Sequence, residues 1–261
     1  NGEASRVLEA EAMAASGSEI ALHPAVEAGA AVLHGRVGNH QSYDVQITGE
    51  GGRLNLNWVL AGENPQRLEL LRKYLETKGV ELNDRDRMID TLLDWVDPDN
   101  LVRLNGAEID GDYHPANTLL VRIEDVKQVR GWEDFCAQPG WDDGLTLNST
   151  GPVDLAWASR DLLLALPGMS EQIVDQFLQL RAGPDGIDGT EDDAPFKTME
   201  DVRGALGLSK DQYIQLAPLV VFKDQVLRIV STGRSGKVTR VVQMVVRKSG
   251  AIPQLITWKE H

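Results

Sequence analysis

The spacing of apolar residues changes twice along this chain. Between Ala4 and Ala21 small and apolar residues recur at three- and four-residue intervals, which predicts a helix over residues 3–22, closed by Pro24. A short apolar patch at 30–33 continues helically before Gly35 and Gly38. The period then becomes two. Tyr43, Val45 and Ile47 alternate with Asp44, Gln46 and Thr48, and after Gly49-Glu50-Gly51-Gly52 the alternation resumes at Leu54, Leu56 and Trp58. Two such runs joined by a Gly-rich turn predict a β-hairpin.

From Asn64 the pattern is helical for about 150 residues. Asn64 caps a helix with Pro65 in its first turn and Gly79 at its end, and residues 84–96 form the next. Further helices are predicted over 159–166, 170–182, 198–206 and 209–217, the last two opening on capping boxes, Thr198 with Asp201 and Ser209 with Gln212. After Pro218 the β pattern returns at 226–231, 238–246 and 255–258, with a turn at 233–237. A lone hairpin is marginal and needs the later strands to complete a sheet. The fold class is therefore α+β, an N-terminal helix packed on an antiparallel sheet with a large all-α domain inserted in the sheet region. The expected boundaries are 1–60, 61–219 and 220–261.

One stretch resists this description. Residues 92–132 run from a helix end through an acidic turn at Asp97-Pro98-Asp99 into a loop with Gly106, Gly111 and Pro115 as breakers and Glu108, Asp110 and Asp112 as charges. The loop is too polar for a core and too long for a plain connector, so something holds it in shape.

Charge narrows the function. A formal net charge of −14 repels nucleic acid and anionic lipid and suits cations or basic surfaces. The single cysteine, Cys136, excludes an intramolecular disulfide framework and a CxxC metal site. No apolar run is long enough to span a bilayer. GxSxG, HExxH and P-loop motifs are absent, and His23, His34, His40, His114 and His261 never approach ligand spacing, so nothing supports an enzyme.

Two acidic clusters bear on cation binding. Asp185, Asp188, Glu191, Asp192 and Asp193 crowd into nine positions with Gly186 and Gly189 between them. Hard oxygen ligands on a flexible turn suit a structural Ca²⁺, although the spacing is not that of an EF-hand, and a solvated acidic loop is the alternative. Asp97, Asp99, Glu108, Asp110 and Asp112 form a looser set, for which turn formation and helix capping are favoured over a metal.

Two helix–turn–helix patterns follow, at 163–181 with Leu-Pro-Gly in the turn and at 199–216 with Ala205-Leu206-Gly207-Leu208. They resemble the helix-hairpin-helix module, which presents backbone N–H groups to DNA phosphates in many proteins. Phosphate binding draws most of its affinity from cations, and here Arg181, Arg203 and Lys210 form no stripe among the acids. A structural or protein-binding role is favoured, and a nucleic-acid binder stands as the alternative.

Several motifs together resemble the protein K family, the large minor pseudopilins of type II secretion systems. They are Arg53-Leu54-Asn55-Leu56-Asn57, Leu93-Asp94-Trp95-Val96-Asp97, Gly106-Ala107-Glu108 with Tyr113, Pro115-Ala116-Asn117, the run from Leu145 to Thr150, the Leu-Pro-Gly turn and Trp258. The resemblance covers nearly the whole chain. It implies a pilin-like fold with an inserted domain of helix-hairpin-helix/SAM-like units. It also implies bound calcium, matched here by Asp185 to Asp193. Expected partners are two smaller minor pseudopilins (I- and J-type) at the tip of a periplasmic pseudopilus, with the major pseudopilin below. An upstream helix, absent from this sequence, would anchor the full-length protein in the inner membrane of a Gram-negative cell, and the small-residue face of the first helix would suit close helix packing.

Overall fold

Helix α1 (Gly2–Leu22) forms where the three- and four-residue spacing predicts it, and a 3₁₀ turn at Ala31–Leu33 follows. The computed structural model describes residues 2–190, 192–194 and 196–261. Next come strands β1 (His34–Val37), β2 (Gln41–Gly49) and β3 (Leu54–Asn55), then helices α2 (Leu56–Leu60), α3 (Pro65–Thr77) and α4 (Leu82–Val96). Asn64 caps α3 as its sequence predicts, its side chain accepting from the N–H groups of Gln66 and Arg67 at 3.0 and 3.2 Å. After the long loop stand a 3₁₀ segment (Ile123–Gln128), α5 (Glu133–Cys136), β4 (Leu145–Thr146) and β5 (Val153–Asp154). Helices α6 (Arg160–Ala165), α7 (Glu171–Arg181), α8 (Met199–Ala205) and α9 (Lys210–Leu216) complete the helical stretch, and both predicted capping boxes are formed. Strands β6 (Val220–Val221), β7 (Val226–Ser235), β8 (Val238–Arg247) and β9 (Gln254–Glu260) close the chain.

The chain divides into two units, residues 1–50, 179–195 and 223–261, and residues 51–178 and 196–222. In the first unit one antiparallel sheet has the order β1-β2-β7-β8-β9. Helix α1 covers it, burying Ala10, Met13, Ala14, Gly17, Ser18 and Ala21. The core joins Ala14 and Ala21 to Val45 and Ile47 of β2, Ile229 of β7, and Val242, Met244 and Val246 of β8. Small residues on both elements allow this approach. A Cβ placed on Gly233 would lie 2.1 Å from the Ala10 carbonyl oxygen and 2.3 Å from the Ala14 nitrogen, so backbone meets backbone there. The small-residue face of α1, expected to suit helix packing, is spent on this sheet. Beside it Glu50, fully buried, takes both Nε and Nη2 of Arg228 at 2.8 Å.

The predicted hairpin over 43–58 does not form. Strand β2 pairs with β1 and β7, while residues 54–60 belong to the second unit as a two-residue strand and a helix. The alternation at Leu54, Leu56 and Trp58 misled because Asn55 is buried as well: its side chain caps α2 at the Trp58 N–H and donates to Ser149 O and Oγ. Asn57 likewise clamps the backbone of Leu120 from both sides, at 2.8 and 3.0 Å. The two asparagines of the Arg53–Asn57 motif are thus tethers for distant loops.

The second unit is built on Leu54, Leu56, Leu71, Tyr74, Leu92, Trp132, Leu155 and Leu162, all fully buried. Two short parallel pairs, β3 with β4 and β5 with β6, tie its ends.

Replacing Gly233 by Ala is expected to destabilise the sheet unit by about 1–3 kcal/mol, because the added methyl has only rigid backbone to displace. Chemical denaturation followed by near-UV circular dichroism measures it, and unchanged stability would show that α1 can ride up without cost.

Candidate functional site

The long loop after α4 is held by a network centred on Asp94. Asp94 sits in the last turn of α4 with no exposed surface, and its carboxylate faces the returning loop. Arg103 answers it, donating from its backbone N–H to Oδ2 at 3.2 Å and from Nη1 to Oδ1 at 2.5 Å. The same guanidinium reaches Asp97, and its Nη2 donates to Glu63 at 2.6 Å. Gly106 closes the contact: a Cβ there would stand 1.8 Å from Asp94 Oδ2, so only glycine fits. Further along, Asn105 donates twice to Asp90, and the Asn117 N–H donates to the Trp95 carbonyl at 2.9 Å. Arg130 lies 4.4 Å over the Tyr113 ring and bonds Asp110, and Tyr113 leans on Trp95 with ring centroids 5.9 Å apart. These contacts account for a polar loop that keeps one shape.

Among the described residues, Asp94, Asp97 and Glu108 place ligand atoms within 4.8 Å of one another. The sequence pattern had grouped Asp97 and Glu108 with Asp99, Asp110 and Asp112. The structure instead sends Asp110 to Arg130, uses Asp99 to receive the Leu101 N–H at 2.8 Å, and recruits Asp94 from the helix. Asp94 was legible only as a helical residue. Its position one turn before the helix end was the available signal.

The Asp185 loop turns on Gly183, Gly186 and Gly189, each with positive φ. Asp188 is held by Arg181, whose Nε and Nη2 donate at 2.8 and 2.7 Å. Asp192 accepts the Asp185 N–H at 2.9 Å and Asp193 accepts the Gly189 N–H at 2.7 Å, while Thr190 Oγ1 lies 2.8 Å from Asp192 and 3.2 Å from Asp193. The Thr190 hydroxyl, then the Asp185 N–H, hold the Asp192 carboxyl below the ordinary carboxylate range. Glu191 lies outside the described residues. The donor chemistry of Asp185, Asp192 and Asp193 fits a hard cation, whereas Asp188 would have to be shared with Arg181.

Other reactive groups are muted. Burial pushes the Cys136 thiol up to about 11, away from the thiolate needed for nucleophilic chemistry. At the helix pairs, Arg160 is bound to Asp175, Arg181 to Asp188 and Arg203 to Glu200. No helix among the described residues is long and apolar enough to cross a membrane.

Comparison with known proteins meets this geometry at the same stretch. Residues 52–136 match the family described as type II secretion system (T2SS), protein K. Over that stretch the chain is similar to type II secretion system protein K. It is 28% identical over 71 residues to the protein of that name from Dickeya chrysanthemi, a match covering 26% of this chain and 20% of that protein. The match thus spans a fifth of the curated relative's length. In fold it is similar to a chain in the crystal structure of the GspK-GspI-GspJ complex from the enterotoxigenic Escherichia coli type 2 secretion system, with a TM-score of 0.65. That likeness covers 97% of this chain and 93% of the other at 13% identity, and so speaks for the fold, a mixture of helix and antiparallel sheet.

Replacing Arg103 by Gln is expected to cost about 3–5 kcal/mol, because it strands the buried Asp94 charge. Replacing Arg130, whose partner Asp110 is largely exposed, should stay within about 1 kcal/mol. Parallel urea titrations test the contrast, and equal costs would show that Asp94 does not organise the loop.

Proposed function

We propose that the chain is a minor pseudopilin of a type II secretion system. In this reading it works by binding rather than catalysis, joining the two smaller I- and J-type minor pseudopilins at the tip of a periplasmic pseudopilus. There it initiates assembly and limits growth above itself, over a shaft of the major pseudopilin, with an upstream helix anchoring the full-length protein in the inner membrane. The observation that carries this is the fold likeness over 97% of the chain to a protein solved together with two others of its secretion system. Helices α6–α7 and α8–α9 would then be helix-hairpin-helix/SAM-like units used for packing. Their paired arginines and the net charge of −14 weigh against the nucleic-acid alternative.

Mixing the chain with the soluble domains of the two smaller minor pseudopilins of its own system is expected to give a 1:1:1 complex by size-exclusion chromatography with light scattering. Three separate species at micromolar concentration would sink this reading.

A structural Ca²⁺ on Asp185, Asp192 and Asp193, with Glu191 and a shared Asp188, belongs to the same proposal. A cation bound only to the folded chain stabilises it by mass action, about 2.7 kcal/mol at a hundredfold excess over Kd. Chelator should therefore lower the melting temperature and added Ca²⁺ restore it, with a smaller shift in Asp193→Ala. A Ca²⁺ response identical in that variant would remove this loop from consideration.

A further inference from the structure

A solitary apolar side chain on a surface is ordinary, whereas several in one neighbourhood mark a place where something binds. The loop after α4 exposes Leu101, Val102, Leu104, Ile109, Leu119 and Val121. Their neighbours in sequence are fixed. Leu104 is 96% exposed, yet Arg103 before it is held by Asp94, Asp97 and Glu63, and Asn105 after it donates twice to Asp90. Val121, 79% exposed, follows Leu120, whose N–H and carbonyl are clamped by Asn57, and gives its own N–H to Asp125 at 3.1 Å. The Asn117 amide brings the two runs together, donating to the Asp99 carbonyl and to Asn100, both at 3.3 Å. Leu119, two residues on, also lines a groove of about 390 Å³ with Leu60, Leu93, Val96 and Pro98. The anchors hold these apolar side chains out in set positions, so little conformational entropy remains to be lost when they are covered.

Charge narrows what covers them. Residues 97–125 carry seven carboxylates and two guanidiniums. Both guanidiniums are engaged, Arg103 as above and Arg122 with Asp125 at 3.5 Å. Such a rim repels anionic lipid and acidic surfaces and attracts lysine and arginine. We propose that Leu101, Val102, Leu104, Leu119 and Val121 form a docking surface for a protein segment whose apolar side chains are flanked by basic ones. The exposed leucines and valines supply the area removed from water, and the acids around them, Glu63, Asp99 and Asp112 among them, select the partner by its charge. A second copy of this chain, equally acidic, is rejected by the same charges. All of these residues belong to the second unit, and the inference does not rest on pseudopilin assembly.

The probe is a short fluorescein-labelled peptide of leucine and lysine spaced by serine, titrated against the full chain by anisotropy at physiological salt. Two control peptides replace every leucine by serine or every lysine by glutamate. The leucine–lysine peptide is expected to bind more than ~10-fold tighter than either control, and Leu101→Ser with Leu104→Ser should weaken it by more than the same factor, as two leucines no longer leave water. Both leucines are exposed, so the double variant should keep its melting temperature by circular dichroism. A second measurement needs no variant: the peptide should shift the backbone amide NMR resonances of residues 101–104 and 119–121. Equal binding of the serine–lysine peptide, a double variant that binds as tightly as the original chain, or amide shifts confined to other residues would each overturn the site. So would sedimentation of the chain with phosphatidylcholine vesicles that the double variant loses, because a bilayer would then be the occupant.

Discussion

A charged carboxylate inside a helical unit must be answered by a cation, and much of the 94–130 region follows from how Asp94 is answered. Arg103 reaches it from a loop nine residues on, so the loop must curl back against the end of α4. That return carries Gly106 against the carboxylate, where no side chain fits, and brings Glu108 to the cluster. The exchange of a buried charge for a paired one adds little net stability on its own. Its effect is specificity: a polar loop that would otherwise sample many shapes has one in which the buried acid is satisfied. The Asn117 and Arg130 contacts then fix the remainder around Trp95 and Tyr113.

The sheet unit uses the opposite means. Its central contact is nearly featureless, with alanines and glycine of α1 on Ser231 and Gly233 of β7. Close approach of backbones gives many dispersion contacts but no directional bond, so position along the helix is set at the ends. Ser235 donates to Glu9 at 2.6 Å at one end, and the buried Glu50–Arg228 pair fixes β2 against β7 at the other end of the strand.

Legibility in the sequence followed the range of the interactions. Helices α1, α3, α4, α8 and α9 could be read because spacing, caps and breakers lie within a few residues of one another. The three late strands were legible for the same reason. The hairpin failed at residues 54–58, where Asn55 and Asn57 look like solvent-facing positions but bond to Ser149 and Leu120. Strand β1 was missed since Gly35 and its short, exposed run carry no alternation. Among the acids, composition pointed to Asp185–Asp193, whose crowding is local. The Asp94–Asp97–Glu108 group brings a helix turn onto a loop eleven residues beyond it, and spacing alone set Asp94 apart from Glu108.

The sequence by itself determined the helix and strand types, the capping, the acidic surface and the motifs that resemble those of the protein K family, since each depends on neighbours close in the chain. The tertiary structure decided which strands pair, that α1 gives its small-residue face to the sheet, and which carboxylates share a site. Those outcomes depend on closure between residues far apart, where burial converts an ordinary Asp or Asn into a group that must find a partner. No pattern of nearby residues records which partner it finds.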